Sequence, residues 1–245
     1  MRVKAKKPID IGDVVVGDEE VICGCVGEKD VFDMIDVAEE IAEKVDLVEL
    51  RVDYLDNPSS SDVKRQIANN EIDAPLILTI RRENEGGDFV GQEEERAKLY
   101  VELMEFVDAI DLEYHTPDNY RRKIIQKAKE KNAAKIVSYH NFSRTGSVEE
   151  LKIRLEECLE LGDLGKVATK ANSPKDVLNL VRAAYYVKKE WGEPLVALGM
   201  GEGAKYSRVF GSYFGSDIIY ASGGEQTAPG QLDVADVKEV VRRLR

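Results

Sequence analysis

Two short runs hold the side chains best suited to carbonyl chemistry. The first, residues 135–142 (KIVSYHNF), carries His140, one of only two histidines; the second, residues 165–170 (GKVATK), carries Lys166 and Lys170. Between them residues 148–161 show helical periodicity, so the stretch reads strand, helix, strand. A right-handed crossover makes the two strands parallel and sets their C-terminal ends side by side. His140 then stands near a lysine that its strand turns inward. An imidazole beside a desolvated amine suits imine chemistry on a ketone: the amine attacks the carbonyl and the imidazole moves protons. Lys166 and Lys170 share strand parity, so spacing alone leaves both open as the nucleophile.

The elements that must position these groups follow a regular alternation. Residues 8–18 read as a short hairpin around Gly12 and Asp13. Strand signals then fall at 21–26, 46–52, 75–80, 109–112, 135–142, 165–170, 194–199 and 217–221, each followed by a helix or helix-like segment. Val31, Met34, Ile35, Ala38, Ile41 and Ala42 stripe the first helix. Ala97, Tyr100, Val101 and Met104 stripe the third, and Val234, Val237, Val241 and Leu244 the last. The order predicts an α/β fold: a (β/α)8 TIM barrel, one domain over 1–245, with the hairpin of residues 1–18 closing the barrel floor. A doubly wound sheet would announce itself with a glycine-rich first turn, and residues 24–27 (GCVG) do not match that fingerprint.

Composition narrows the function classes. The net charge of −12 argues against a nucleic acid or an anionic membrane as partner. No run approaches ~18 consecutive apolar residues, so no membrane span is expected. The basic N-terminus lacks the apolar stretch of a signal peptide. The cysteines Cys23, Cys25 and Cys158 match neither a zinc knuckle nor a redox pair, and read as buried small hydrophobes in a reducing cytoplasm.

In a barrel the working face lies at the C-terminal ends of the strands. Those ends collect Glu49 and Arg51, Arg81 and Glu85, Asp111 and Glu113, His140, Lys166, Met200, Thr227 and Gln231. Glu49 and Arg51 share inward parity with Asp53. Gly86 and Gly87 suggest a bend that turns Glu85 back over the site. Arg208 is a carboxylate clamp by its chemistry. His115 reads as a structural histidine with Asp111 and Glu113 as polar partners. Other lysine-imine barrels act on phosphorylated sugars and want a glycine nest late in the chain, to which Gly199, Gly201 and Gly203 come nearest.

Taken together, the pieces resemble the type I 3-dehydroquinate dehydratase family. They are residues 49–53 (ELRVD), Arg81 with 85–87 (EGG), 138–142 (SYHNF), 165–168 (GKVA), Ser207 with Arg208, and 228–231 (APGQ). The resemblance runs from the second barrel strand to the last loop. It implies a metal-free barrel that needs no cofactor, is often a homodimer, and removes water from 3-dehydroquinate in the shikimate pathway. It selects Lys166 as the Schiff-base lysine, His140 as the proton carrier and Glu85 as the group that orients His140, and places Lys170 in the following loop. Arg208 would hold the substrate carboxylate, and Glu49, Arg51, Arg81, Thr227 and Gln231 would bind the rest of the ring, with residues 226–231 as a lid. Gly24 stands where the family often has a serine near the substrate, Thr227 where serine is common, and Tyr220 where phenylalanine is usual.

Overall fold

The computed structural model describes residues 2–244, with the side chains of Glu202 and Leu244 outside the described set; the expectation for Leu244 therefore lies outside the described residues. The chain opens with an antiparallel hairpin, β1 (Ile9–Ile11) and β2 (Val14–Val16). Ile11 and Val16 are fully buried and share an apolar cluster with Val21, Leu47, Ala109 and Leu164, which begin four of the strands that follow. The hairpin therefore fills the floor of the barrel.

Strands and helices then alternate: β3 (Val21–Val26), α1 (Val31–Ala42), β4 (Leu47–Arg51), α2 (Ser60–Asn69), β5 (Leu76–Thr79), α3 (Glu93–Leu103), β6 (Ala109–Glu113), α4 (Asp118–Lys131), β7 (Ala134–Asn141), α5 (Val148–Leu161), β8 (Leu164–Lys170), α6 (Pro174–Trp191), β9 (Leu195–Met200), α7 (Lys205–Phe210), β10 (Ile218–Ser222) and α8 (Val234–Leu244). The helix starts carry their own stops for the chain's free N–H groups: Asp30, Ser59, Ser147 and Ser173 each cap a helix with a side-chain oxygen. The eight parallel strands pair in the order β10-β3-β4-β5-β6-β7-β8-β9, forming a nearly closed (β/α)8 barrel. Outward residues such as Val48, Leu50, Ile110 and Leu112 pack under the helices, while the inward ones form a separate core.

A recurring device, unseen in the sequence, starts alternate strands. Asp46, Asp108, Asp163 and Asp217 each precede a strand, and each accepts a backbone N–H from the strand before: Ile22 at 2.7 Å, Leu76 at 2.9 Å, Lys135 at 2.9 Å and Leu195 at 2.8 Å. Each returns its own N–H to the carbonyl of that same residue, at 2.8–2.9 Å. Three of these clamps reinforce a hydrogen-bonded ladder. The fourth closes the ring, because β9 and β10 meet through the Leu195–Ser216 bridge and share no ladder. Asp217 is fully buried there, held by Lys188 and by Arg2 at 2.7 Å.

The third helix is turned from its expected face. Arg96 and Leu103 are buried beside Ala97, Tyr100 and Met104, while Val101 is only half-buried. The rotation brings the Arg96 guanidinium to Glu113 Oε2 at 2.5 Å, a pairing that apolar periodicity does not register.

Candidate active site

The strands' C-terminal ends open into a cleft, partly open to solvent, whose lining includes all nine residues to which the resemblance gives a catalytic or binding role. Its floor is a buried charge network. Strand alternation turns Asp111 inward on β6, where Lys166 Nζ of β8 reaches Asp111 Oδ2 at 2.7 Å. Arg81 donates to Asp111 Oδ1 at 2.7 Å and to Ser138 Oγ at 2.8 Å. Burial alone would push the Asp111 carboxyl up, but Arg81 and Lys166 outweigh it and hold the group well below the usual carboxylate range. Lys166 also lies 3.9 Å from Glu49 Oε1 and 3.7 Å from the centre of the Tyr220 ring. Thr79 steadies Glu49 with a 2.8 Å hydrogen bond.

His140 stands on β7 beside β8, paired in register with Ala168, so its ring and the Lys166 amine enter the same cleft. Burial, then Arg81 and Lys166, push its imidazole well below the ordinary value, so the ring is neutral at pH 7. Its Nδ1 faces Glu85 Oε2 at 3.3 Å. Burial, then the neighbouring Glu113, raise the Glu85 carboxyl to about 7. The paired glycines make the expected bend. Gly86 sits at φ +77°, where an added Cβ would lie 2.1 Å from the Phe142 ring, and one on Gly87 would lie 2.1 Å from the Arg81 carbonyl. Phe142 in turn lies nearly parallel to His140, with ring centres 6.3 Å apart and planes at 17°.

Across the cleft, Arg208 is 3 % exposed. Among the described residues its Nε has no hydrogen-bond partner, and its Nη2 donates to the Pro229 carbonyl at 3.2 Å. Burial pushes its guanidinium down to about 10. A buried cation without a carboxylate is costly and fits a site meant for an anion. The loop of residues 226–231 packs alongside: Arg51 and Tyr54 both donate to the Thr227 carbonyl at 3.2 Å, and Thr227 donates to Gln231 Oε1 at 3.0 Å. The Gly201 N–H donates to the Pro229 carbonyl at 3.2 Å and the Gly199 N–H to Ser207 Oγ at 3.0 Å, so neither is free to hold a phosphate.

The model for type I 3-dehydroquinase matches residues 22–245. The chain belongs to the type I 3-dehydroquinase family. It is 37 % identical to a 3-dehydroquinate dehydratase of Methanobrevibacter smithii over 210 residues, 85 % of this chain and 89 % of the relative. It is 36 % identical to that of Methanocaldococcus jannaschii over 229 residues, 91 % and 99 % of the two chains. A crystal structure of type I 3-dehydroquinate dehydratase from Clostridium difficile superposes with a TM-score of 0.91 at 28 % identity, covering 98 % of each chain.

At several positions the structure departs from what the sequence leads one to expect. Gly24 does not face the cleft: a Cβ there would meet Ile41 Cδ1 of α1 at 2.5 Å, so a side chain at this position points away from any ligand. Its neighbour Cys25 lines the cleft instead. His115 does not pair with Asp111 or Glu113. It lies edge-on to Tyr114 and Tyr139, at 5.1 and 5.7 Å, while the inward parity of β6 sends both carboxylates to buried cations. Lys170 is the last residue of β8 and not part of the loop, with its side chain exposed. Asp53, beyond the end of β4, grips Arg51 through two bonds, 3.0 Å from Nε and 2.7 Å from Nη2, and its Oδ2 also accepts the Asp88 N–H at 3.2 Å. The signal that turns Asp111 into the barrel was already present, since Ala109, Asp111 and Glu113 share one parity, which is the inward one; its pairing with Lys166 comes only from the folded barrel.

Proposed function

We propose that the protein is a hydro-lyase that converts 3-dehydroquinate to 3-dehydroshikimate through a Schiff base on Lys166, as a cytoplasmic step of aromatic amino acid biosynthesis. The observation that carries the reading is the cleft itself: a buried amine on a carboxylate, a neutral imidazole, and an arginine with no anion of its own. The Clostridium difficile neighbour was solved with covalently modified comenic acid.

In this reading Arg208 takes the substrate carboxylate, and Glu49, Arg51, Arg81, Thr227 and Gln231 take the hydroxyls and the remaining polar edge. Asp111 stays ionised and holds the Lys166 amine in place, while the neutral His140 imidazole takes the proton that Lys166 must lose before it attacks and passes it to the departing oxygen. The amine adds to the ketone and water departs, leaving a protonated C=N. That cation is the electron sink that acidifies the adjacent C–H. With Glu85 ionised, Nδ1–H of His140 donates to it and Nε2 keeps the lone pair that removes the proton. The electrons of that C–H bond expel the β-hydroxyl, and His140 returns the proton so that it leaves as water. A final water hydrolyses the imine and frees Lys166. One water enters and two leave, which balances a dehydration.

Borohydride reduction with 3-dehydroquinate present, followed by peptide mass mapping, tests this. A reduced adduct is expected on Lys166, and Lys166→Ala should abolish both adduct and turnover. An adduct on Lys170, or none with active protein, defeats the assignment. The chain is also proposed to pair as a homodimer. Leu178 and Tyr186 on α6 and Tyr206 and Phe210 on α7 leave apolar surface exposed at 61, 44, 63 and 48 %, which supports a partner there. A monomer by sedimentation at micromolar concentration would refute the pairing.

A further inference from the structure

We propose that Glu113 and Arg96 form a pedestal beneath the catalytic cleft, which holds the turn carrying Glu85 and thereby decides which nitrogen of His140 bears the proton. This rests on the dehydratase reading and adds two positioning residues to it. Glu113 ends β6 and Arg96 lies in α3; both are fully buried. Arg96 donates through Nη1 to Glu113 Oε2 at 2.5 Å and to the Ile80 carbonyl at 2.8 Å, and through Nη2 to Glu93 at 2.7 Å and Thr116 Oγ1 at 3.0 Å. The other Glu113 oxygen accepts the Arg82 backbone N–H at 3.0 Å.

Arg82 is where the turn begins. From it the chain folds through Glu83–Glu85 and back, closed by Gly86 N–H to the Glu83 carbonyl and Gly87 N–H to the Arg82 carbonyl, both at 3.0 Å. Glu85 is left with one oxygen 3.3 Å from His140 Nδ1 and the other 3.3 Å from Arg82. A buried ion pair rarely stabilises a fold more than an apolar pair of the same shape. Stability is therefore a poor account of why α3 turns an arginine inward; placement of the turn and of a fixed charge is a better one.

The charged groups that face Glu85 are Glu113 and Asp111 from β6, Arg81 from just past the end of β5, Arg82 from its own turn, and His140 from β7. Burial works to raise the Glu113 carboxyl, but Arg81 and Arg96 outweigh it, so Glu113 stays ionised. Its charge makes ionisation of Glu85 harder. When Glu85 is ionised it accepts Nδ1–H, and Nε2 is the base. When Glu85 is protonated it donates to Nδ1, the ring proton moves to Nε2, and the base is lost. The pedestal thus sets the pH at which His140 changes tautomer.

Glu113→Gln tests this, since it keeps an acceptor for the Arg82 N–H and removes the charge. The rising limb of kcat/KM is expected to move down by about one pH unit, with KM at the plateau little changed. The ring ¹⁵N shifts of His140 in substrate-free protein should move over the same range. Limbs that stay in place in both measurements overturn the proposal, whatever happens to the melting temperature. The spectroscopic arm needs no substrate. If the wild type fails to dehydrate 3-dehydroquinate while the His140 titration still moves, the functional reading falls and the pedestal stands. Should Glu113→Gln not fold, Arg96→Lys keeps the cation and loses the fork. It should leave the limb near its wild-type pH and lower kcat about tenfold or more through misplacement of Glu85; an unchanged kcat overturns the proposal.

Discussion

Replacing Arg208 by methionine should make the protein more stable and a worse enzyme. Arginine ordinarily titrates at ~12.5, and burial without a carboxylate brings Arg208 down to about 10. At ~1.4 kcal/mol per tenfold change in affinity for the proton, that corresponds to roughly 3 kcal/mol against folding. The sign follows from a folded state that holds this proton less tightly than the unfolded chain. The penalty is complete at any pH below about 10, shrinks as the folded arginine gives up its proton above that value, and is gone once the unfolded arginine has deprotonated too. Methionine removes the penalty and gives up one hydrogen bond to Pro229, worth about 1 kcal/mol. The net gain of about 2 kcal/mol should raise Tm by roughly 4–8 °C for a chain of this size. The substrate carboxylate would meanwhile lose charged hydrogen bonds worth ~1.5–3 kcal/mol each, so kcat/KM should fall about 10²-fold or more. Calorimetry at pH 7 and steady-state rates read the two effects, and a saturating carboxylate ligand should raise Tm in the wild type only. A lower Tm in the variant, or an unchanged KM, would refute the reasoning that an anion completes this site.

Other outcomes follow from the same geometry. With Glu85 raised to about 7, kcat/KM should climb as pH rises through that value, because the ionised form orients His140 for base catalysis; a profile flat from pH 5 to 9 would contradict it. His140→Ala should slow turnover by ~10²-fold or more while borohydride still traps an adduct at Lys166, and loss of trapping would mean that the imidazole is needed for the imine itself. Asp217→Asn removes the buried charge that closes the barrel against Arg2 and Lys188. It should cost about 3–5 kcal/mol and lower Tm by roughly 6–20 °C. Asp163→Asn makes the comparison, since its side chain is 36 % exposed and its strands are already laddered; equal losses at the two positions would rule out a special role for the seam.

Much of this molecule is legible along the chain because it depends on local periodicity. Alternation marks the strands, the spacing of Met34, Ile35, Ala38 and Ile41 marks a helix face, and eight repeats of that alternation leave few folds to choose from. Parity along β4 puts Glu49 and Arg51 inside, and Gly86 with Gly87 announces the bend beneath Glu85. What parity does not carry is the partner. Asp111 meets Lys166 across 55 residues, Arg96 meets Glu113 through a rotation of α3, and Asp217 closes a seam 22 residues from Leu195. Lys166 and Lys170 share a strand face in the sequence, yet one is buried in the cleft and the other exposed at the strand end. Burial of charge is a property of the closed barrel: only when the strands complete a ring does each inward side chain lose its water and acquire a counter-charge, or, at Arg208, go without one.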